Sequence, residues 1–225
     1  VRALTGLKAL HCTGSALGKG RLVDLSPLQG MQLKSLHIGN SRVSDLTPLT
    51  GIPLEALACY GTCVSDLSPL KGMKLKTLYC GQTRVTDLSP LAGMPLTLLE
   101  CSGAPVGDLS PLRGMQLNVV MCGTKVSDLS PLRGMPLRQF CCGGTPVSDL
   151  SPLRGMSLEV LNCKHSKVVD LSVVLGMPLR GLDCDLRSER DTTIVRSLKT
   201  LKIINGRSAA EFWREADAKK STQRP

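Results

Sequence analysis

The chain has 225 residues, of which 42% are hydrophobic but only 2% aromatic, and its 28 Lys and Arg against 18 Asp and Glu give a formal net charge of +10. So few aromatic rings leave an aliphatic and thin core, and no apolar run approaches the ~20 residues of a bilayer-spanning helix. No signal-peptide pattern opens the chain, which starts at Val1 with repeat-like sequence close behind; we therefore expect a segment of a longer protein.

The first unit, carried by Leu7, Leu10 and Cys12, is followed by about five extra residues near Leu17 and Arg21, read as a loop. From there Asp-Leu-Ser-Pro-Leu returns about every 21 residues, at 24–28, 66–70, 87–91, 108–112, 128–132 and 149–153; 45–49 carries Thr47, and 170–174 carries Val173 and Val174. A fixed period of this length marks a solenoid, in which no single repeat buries its own apolar face. The apolar columns begin with Leu33/Leu36/Ile38 and Leu54/Leu57/Cys59 and continue to Leu179/Leu182/Cys184. Their last two members alternate with period two, which predicts a short strand with one buried face in every unit. Asp24 and its equivalents can cap a turn that opens on Pro27 and its equivalents, where a helical first turn loses no hydrogen bond. About ten residues between strands are too few for a full helix and two loops, so the outer side should be 3₁₀ or irregular.

Gly30, Gly51, Gly72 and their successors are expected at positive φ, followed by a methionine column in which Ile52 is the exception. The ninth column (Ser41, Thr62, Thr83, Ala104, Thr124, Thr145, Ser166) could form a hydroxyl ladder between coils, weakened at Ala104. The unit holding Thr124 spans 20 residues, which predicts an irregularity near residues 122–126. Toward the C-terminus, residues 189–197 should form a short helix, and Leu198, Leu201 and Ile203 a last strand. Ser208 and Glu211 should make a capping box for a closing helix on which Phe212 and Trp213 cover the final coil.

Leu-x-x-Leu-x-Cys followed by Val-x-Asp-Leu-Ser-Pro-Leu resembles the bacterial leucine-rich repeat of internalin-like proteins, and the match covers nearly the whole chain. The resemblance implies an α/β solenoid, a right-handed superhelix with a concave parallel β-sheet, a convex side of 3₁₀ or irregular segments and a C-terminal helical cap. On this reading residues 1–206 are the solenoid, with about nine repeats and a terminal strand, and residues 207–225 are the capping helix and tail. The tail is similar to those ending leucine-rich arrays in large bacterial multidomain proteins, some with serine/threonine kinase domains, although no kinase motif lies in this sequence. Family members hold partners on the concave face.

Ten cysteines invite a disulfide or metal reading, which their spacing opposes. Cys12, Cys59, Cys80, Cys101, Cys122, Cys142, Cys163 and Cys184 share one inward column, and in-register strands would hold their Cβ vectors parallel, whereas a disulfide needs sulfurs turned toward each other. No Cys-x-x-Cys pair offers zinc spacing. We read a buried free-thiol ladder, no metal and no cofactor, and a reducing, cytoplasmic location. Cys63 and Cys141 fall off the column. His11 and His37 should stack on adjacent coils with no third ligand evident, and no nucleophile has a base partner, so no catalytic residue is assigned.

After His11 and His37, the outward position of each strand does not repeat from one unit to the next. We take His37, Tyr60, Tyr79, Glu100, Met121, Gln139, Asn162 and Asp183 as a partner-binding face, with the two tyrosines as anchors. The expected function is a non-enzymatic, monomeric module binding another protein. Two alternatives stand beside it: a spacer or substrate-recruiting segment of a larger signalling protein, and weak nucleic-acid binding through the basic outer rows. Rows of Lys and Arg without interleaved aromatics argue against the nucleic-acid reading, and no membrane partner is expected.

Overall fold

The computed structural model describes residues 6–17 and 19–222, with side chains described to residue 218. Nine three-residue strands form the inner wall: β1 (Ala9–His11), β2 (Ser35–His37), β3 (Ala56–Ala58), β4 (Thr77–Tyr79), β5 (Leu98–Glu100), β6 (Val119–Met121), β7 (Gln139–Cys141), β8 (Val160–Asn162) and β9 (Gly181–Asp183). They pair in parallel and in sequence order, each central residue opposite the next (Leu36 on Leu57, Leu57 on Leu78). α1 (Glu189–Ser197) replaces the outer turn of the last coil. β10 (Ile203–Ile204) then joins β9 in parallel, and β11 (Arg207–Ser208) turns back antiparallel on β10 before α2 (Ala209–Thr222).

The outer wall is a row of single 3₁₀ turns, Ser26–Leu28 and its equivalents through Ser172–Val174. Each is set by the repeated aspartate. Asp87 accepts the backbone N–H of Ser89 at 2.7 Å and its hydroxyl at 2.7 Å, holding the chain in a tight bend that the proline of the turn tolerates. Glycine then closes the turn at φ between 71° and 83° from Gly30 to Gly176, as the column predicts.

The interior is aliphatic. Leu33, Leu36, Val43, Leu46 and Leu49 are buried, and the same five positions are buried coil after coil. Met94, Met115, Met135, Met156, Met177 and Ile52 are buried below the glycine turn, while Met31 and Met73 are only partly covered. Cysteines from Cys59 to Cys184 on the column are buried, and all ten cysteines are free thiols. Burial holds their protonated form: Cys59, Cys101, Cys142 and Cys184 are pushed up to about 12, and Cys80, Cys122 and Cys163 are raised as well.

Three local expectations need correction. Cys12 is exposed, because the first coil has a neighbour on one side only among the described residues, and Leu7 and Leu10 are likewise half-covered. Ile203 is exposed and Ile204 is the inward residue of β10, so the last strand sits one residue out of the expected phase. The Asn205–Gly206 turn, with φ of 49° and 77°, sets that phase by folding β11 back on β10. The hydroxyl column does not bridge coils in general. Thr62, Thr83, Thr145 and Ser166 donate to the cysteine carbonyl three residues back in their own coil, at 2.5–2.6 Å. At Ala104 the backbone N–H donates to the Cys101 carbonyl at 3.1 Å, so that carbonyl keeps a partner.

The short unit is irregular where expected. Other coils turn this corner on a residue at positive φ: Asn40, Gly61, Gln82, Gly103, Gly144 or His165. The coil of Thr124 omits that residue; there Thr124 donates through both its N–H (2.9 Å) and its hydroxyl (3.2 Å) to the Ala104 carbonyl of the preceding coil. The sheet absorbs the change, and β6 and β7 stay in register, Val120 on Phe140.

The C-terminal end is closed by specific contacts. Ser188 caps α1 by accepting the Asp191 N–H at 3.1 Å, and buried Asp191 accepts the Arg187 N–H at 3.0 Å. The Ser208 hydroxyl accepts the Glu211 N–H at 3.3 Å and donates to the Glu211 carboxylate at 2.7 Å, the expected start of α2. Phe212 and Trp213 meet edge to face at 5.0 Å and pack on the core, with the Arg196 guanidinium 4.3 Å over the indole. Arg196 also pairs with Asp217, tying α1 to α2.

Candidate functional site

A strand with one buried face turns every second side chain outward, and in this sheet those side chains fall into straight rows. The row after each central leucine runs His11, His37, Ala58, Tyr79, Glu100, Met121, Cys141, Asn162 and Asp183. The row before it runs from Ala9 through Thr77, Leu98 and Val119 to Val160 and Gly181. Register therefore brings together His37, Tyr79, Glu100, Met121, Asn162 and Asp183 in one line. It sets Gln139 in the row before that line and Tyr60 at the turn beyond it.

The centre of the face is apolar. Leu98, Val119 and Met121 are half-buried neighbours, and Val160 is exposed two coils on from Val119. Polar groups flank them. At one end His11 and His37 stack with ring centroids 4.1 Å apart and planes at 10°, as expected from their positions. Partial burial and the neighbouring His11 lower the His37 pKa, which favours the neutral ring. At the other end Asn162 donates to Asp183 at 3.3 Å and accepts the Lys164 N–H at 3.1 Å.

Glu100 is not the free outward carboxylate that its position suggests. Its two oxygens accept the N–H of Gly81 at 3.1 Å and of Ser102 at 2.9 Å, folding the side chain back over the preceding coil. Room for it exists because residue 81 is glycine: an added Cβ there would lie 2.5 Å from both carboxylate oxygens. Tyr60 does the same over Gly39, where a Cβ would lie 2.6 Å from the ring, and Asn162 over Gly143 at 2.7 Å. The sequence carried this signal in a flanking column that Gly39, Gly81, Gly123 and Gly143 share with larger residues. Tyr60, Glu100, Gly81, Gln82 and Ser102 consequently line a shallow hollow of about 240 Å³. No group of three or more metal-ligating side chains gathers among the described residues, and the thiol ladder is inward and protonated rather than presented to the face.

No family model matches the sequence, and no curated protein matches it at a significant level. Solved structures do. An internalin (InlF) from Listeria monocytogenes aligns over 92% of this chain and 69% of its own, at 23% identity and a TM-score of 0.70. An internalin C2 from the same organism aligns over 90% of this chain and 82% of its own, at 23% identity and a TM-score of 0.72. The functional domain of InlJ from L. monocytogenes, described as including a cysteine ladder, aligns over 89% and 53% at 19% identity and a TM-score of 0.58. With its in-register inner sheet, single 3₁₀ outer turns and buried column of cysteines, this chain has the internalin-like leucine-rich-repeat fold.

Proposed function

We propose that the chain is a non-catalytic, monomeric module that binds another protein on its concave sheet, with Tyr79, Leu98, Val119 and Met121 at the centre of the contact. The observation carrying this reading is the contrast between two kinds of row one residue apart. Inward rows repeat the same aliphatic or sulfur side chain in nearly every coil, while the adjoining outward row, after its first two histidines, changes residue at every step. Half-buried aromatic and apolar side chains bordered by polar ones fit the core and rim of a protein interface. Tyr60 supports the rim from its place over Gly39, while Glu100 and Asn162, already bonded to backbone N–H groups, shape the face and cost little further ordering. Residues 1–206 and 207–225 would act as scaffold and cap of this one module. Ten free thiols support a reducing, cytoplasmic location, and no helix among the described residues is long and apolar enough to cross a membrane.

The test is capture of a partner by the immobilised chain from its native cell extract, repeated with Tyr79→Ala/Met121→Ala and with the outer-side pair Lys125→Ala/Val169→Ala. Loss of about 2 kcal/mol at the concave pair, roughly thirtyfold in affinity, is expected, with the outer pair unchanged. Equal retention by both variants, with unchanged melting temperatures, would overturn the concave reading.

A further inference from the structure

We propose that one long edge of the solenoid, away from the concave face, is a binding site for a linear acidic polysaccharide. The edge is the corner at which each glycine–methionine turn re-enters a strand. Its inner positions run in backbone register, each N–H donating to the carbonyl of the row-mate in the coil before, from Lys8 through Lys34, Lys76, Arg138 and Arg180 to Lys202. The positions flanking the turns add Lys71, Lys74, Arg113, Arg133 and Arg154. All eleven cations are exposed, and only Glu55 and Glu159 carry negative charge among them. Eleven less two leaves nine positive charges on this edge, against ten for the whole chain. The charge is therefore not spread over a solvated surface but collected on one line.

The far side of each outer turn has the opposite balance. One aspartate per coil from Asp24 to Asp170, eight in all, stands there beside a row of five cations, Arg21, Arg42, Arg84, Lys125 and Lys167. Some edge charge is held internally: Glu55 sits between Lys34 (3.2 Å) and Lys76 (2.8 Å), and Arg138 bonds Glu159 at 2.9 Å. Arg113, Arg133 and Arg154 lie near enough to the aspartate row to help lower Asp128 and Asp149. Most of the line still faces solvent.

Its shape selects among anions. Nine register steps of roughly 4.8 Å make the line about 43 Å long. Two recesses interrupt it, one of about 650 Å³ with Arg133, Arg138 and Arg154 at its rim, and one of about 480 Å³ among Lys34, Lys71, Lys74 and Lys76. Three register steps, about 14 Å, separate Lys76 from Arg138, so a single extended polymer can fill both. Arginine forks suit sulfate or carboxylate groups. Thr97, Asn118 and Ser157 stand between the cations as partners for hydroxyls, and Pro53, Pro136 and Met73 offer apolar floor for sugar C–H faces. No aromatic residue lies on the edge among the described residues, which leaves nucleobases nothing to stack on.

The experiment is fluorescence anisotropy of the full chain with a labelled, size-fractionated heparin oligosaccharide at two salt concentrations. Arg133→Gln/Arg138→Gln/Arg154→Gln is set against Arg84→Gln/Lys125→Gln/Lys167→Gln, which removes equal charge from the opposite corner. The edge variant is expected to bind on the order of tenfold more weakly with a shallower salt dependence, and the opposite-corner variant less than about threefold. Arg-to-Lys versions of the edge triple should recover part of the binding, since they restore the charge without the fork, and unchanged melting curves exclude misfolding as the cause. Equal weakening by both glutamine triples would reduce the effect to net charge and overturn the proposal. Tighter binding of duplex DNA or of phosphatidylserine vesicles than of heparin would overturn it too. Because the concave variant Tyr79→Ala/Met121→Ala leaves this edge intact, it should bind heparin normally, so this site stands or falls separately from the protein-binding reading.

Discussion

Replacing Thr83 with valine isolates the hydroxyl that closes its coil. The side chain is buried, its hydroxyl donates to the Cys80 carbonyl at 2.6 Å, and it accepts the Val85 N–H at 3.4 Å. Valine would leave that carbonyl and N–H without this partner, at about 1–3 kcal/mol, while the extra buried methyl returns about 0.8 kcal/mol. A net loss of about 0.2–2.2 kcal/mol follows, read as a lower urea midpoint at unchanged slope by far-UV circular dichroism. Thr124→Val is the comparison. That residue is exposed and its hydroxyl reaches across to the Ala104 carbonyl at 3.2 Å, so its cost should stay within about 0.5 kcal/mol. If Thr83→Val left the midpoint unmoved while Thr124→Val lowered it, the bond between coils would be the one that matters and the assignment of the column to its own coil would fail.

Two further outcomes can be checked on the unmodified chain and simple variants. The aspartates from Asp24 to Asp170 have lowered pKa values, chiefly through hydrogen bonds from the Ser or Thr two residues on. Their folded pKa lies below the unfolded value near 3.9, so the stabilisation is complete above that value and is lost as pH falls through the folded one. The melting temperature should therefore be level in this respect above about pH 5 and drop steeply below about pH 4, with a shallower drop in Asp87→Asn/Asp108→Asn; an unaltered acid limb in that variant would refute the link. With a thiol-reactive disulfide reagent at pH 8, Cys12, Cys63 and Cys141 should react rapidly and the seven buried column thiols only on unfolding; rapid release of more than three equivalents would contradict the inward ladder.

What the sequence disclosed and what it hid divide along one physical line. Wherever a residue's surroundings are copies of its own repeat, periodicity carries the environment with it: Leu57, Cys80, Pro90 and Gly93 each sit as the columns require. Ends break that rule. Cys12 has column identity but no covering neighbour among the described residues, and Ile203 and Ile204 take their facing from the Asn205–Gly206 hairpin rather than from the repeat. Partner choice within a column is hidden as well. Thr83 could have bonded either its own coil or the next, and only the geometry of the turn selects Cys80. At the concave face, position predicted which residues align, but Glu100 bends away because glycine at 81 exposes backbone N–H groups that a carboxylate can reach.

Between β1 and β9, coils of three different lengths feed the same sheet. Twenty-six positions separate Ala9 from its partner Ser35, twenty-one separate Ser35 from Ala56, and twenty separate Val119 from Gln139, yet every pair is level. The differences are confined to the corner just after the strand, remote from the cation-lined edge. Chain length at that corner is thus free to change by insertion or deletion without dislodging any strand above or below it. A lineage, or an engineer, could grow a reaching finger there from any chosen storey while the rest of the building keeps its floors.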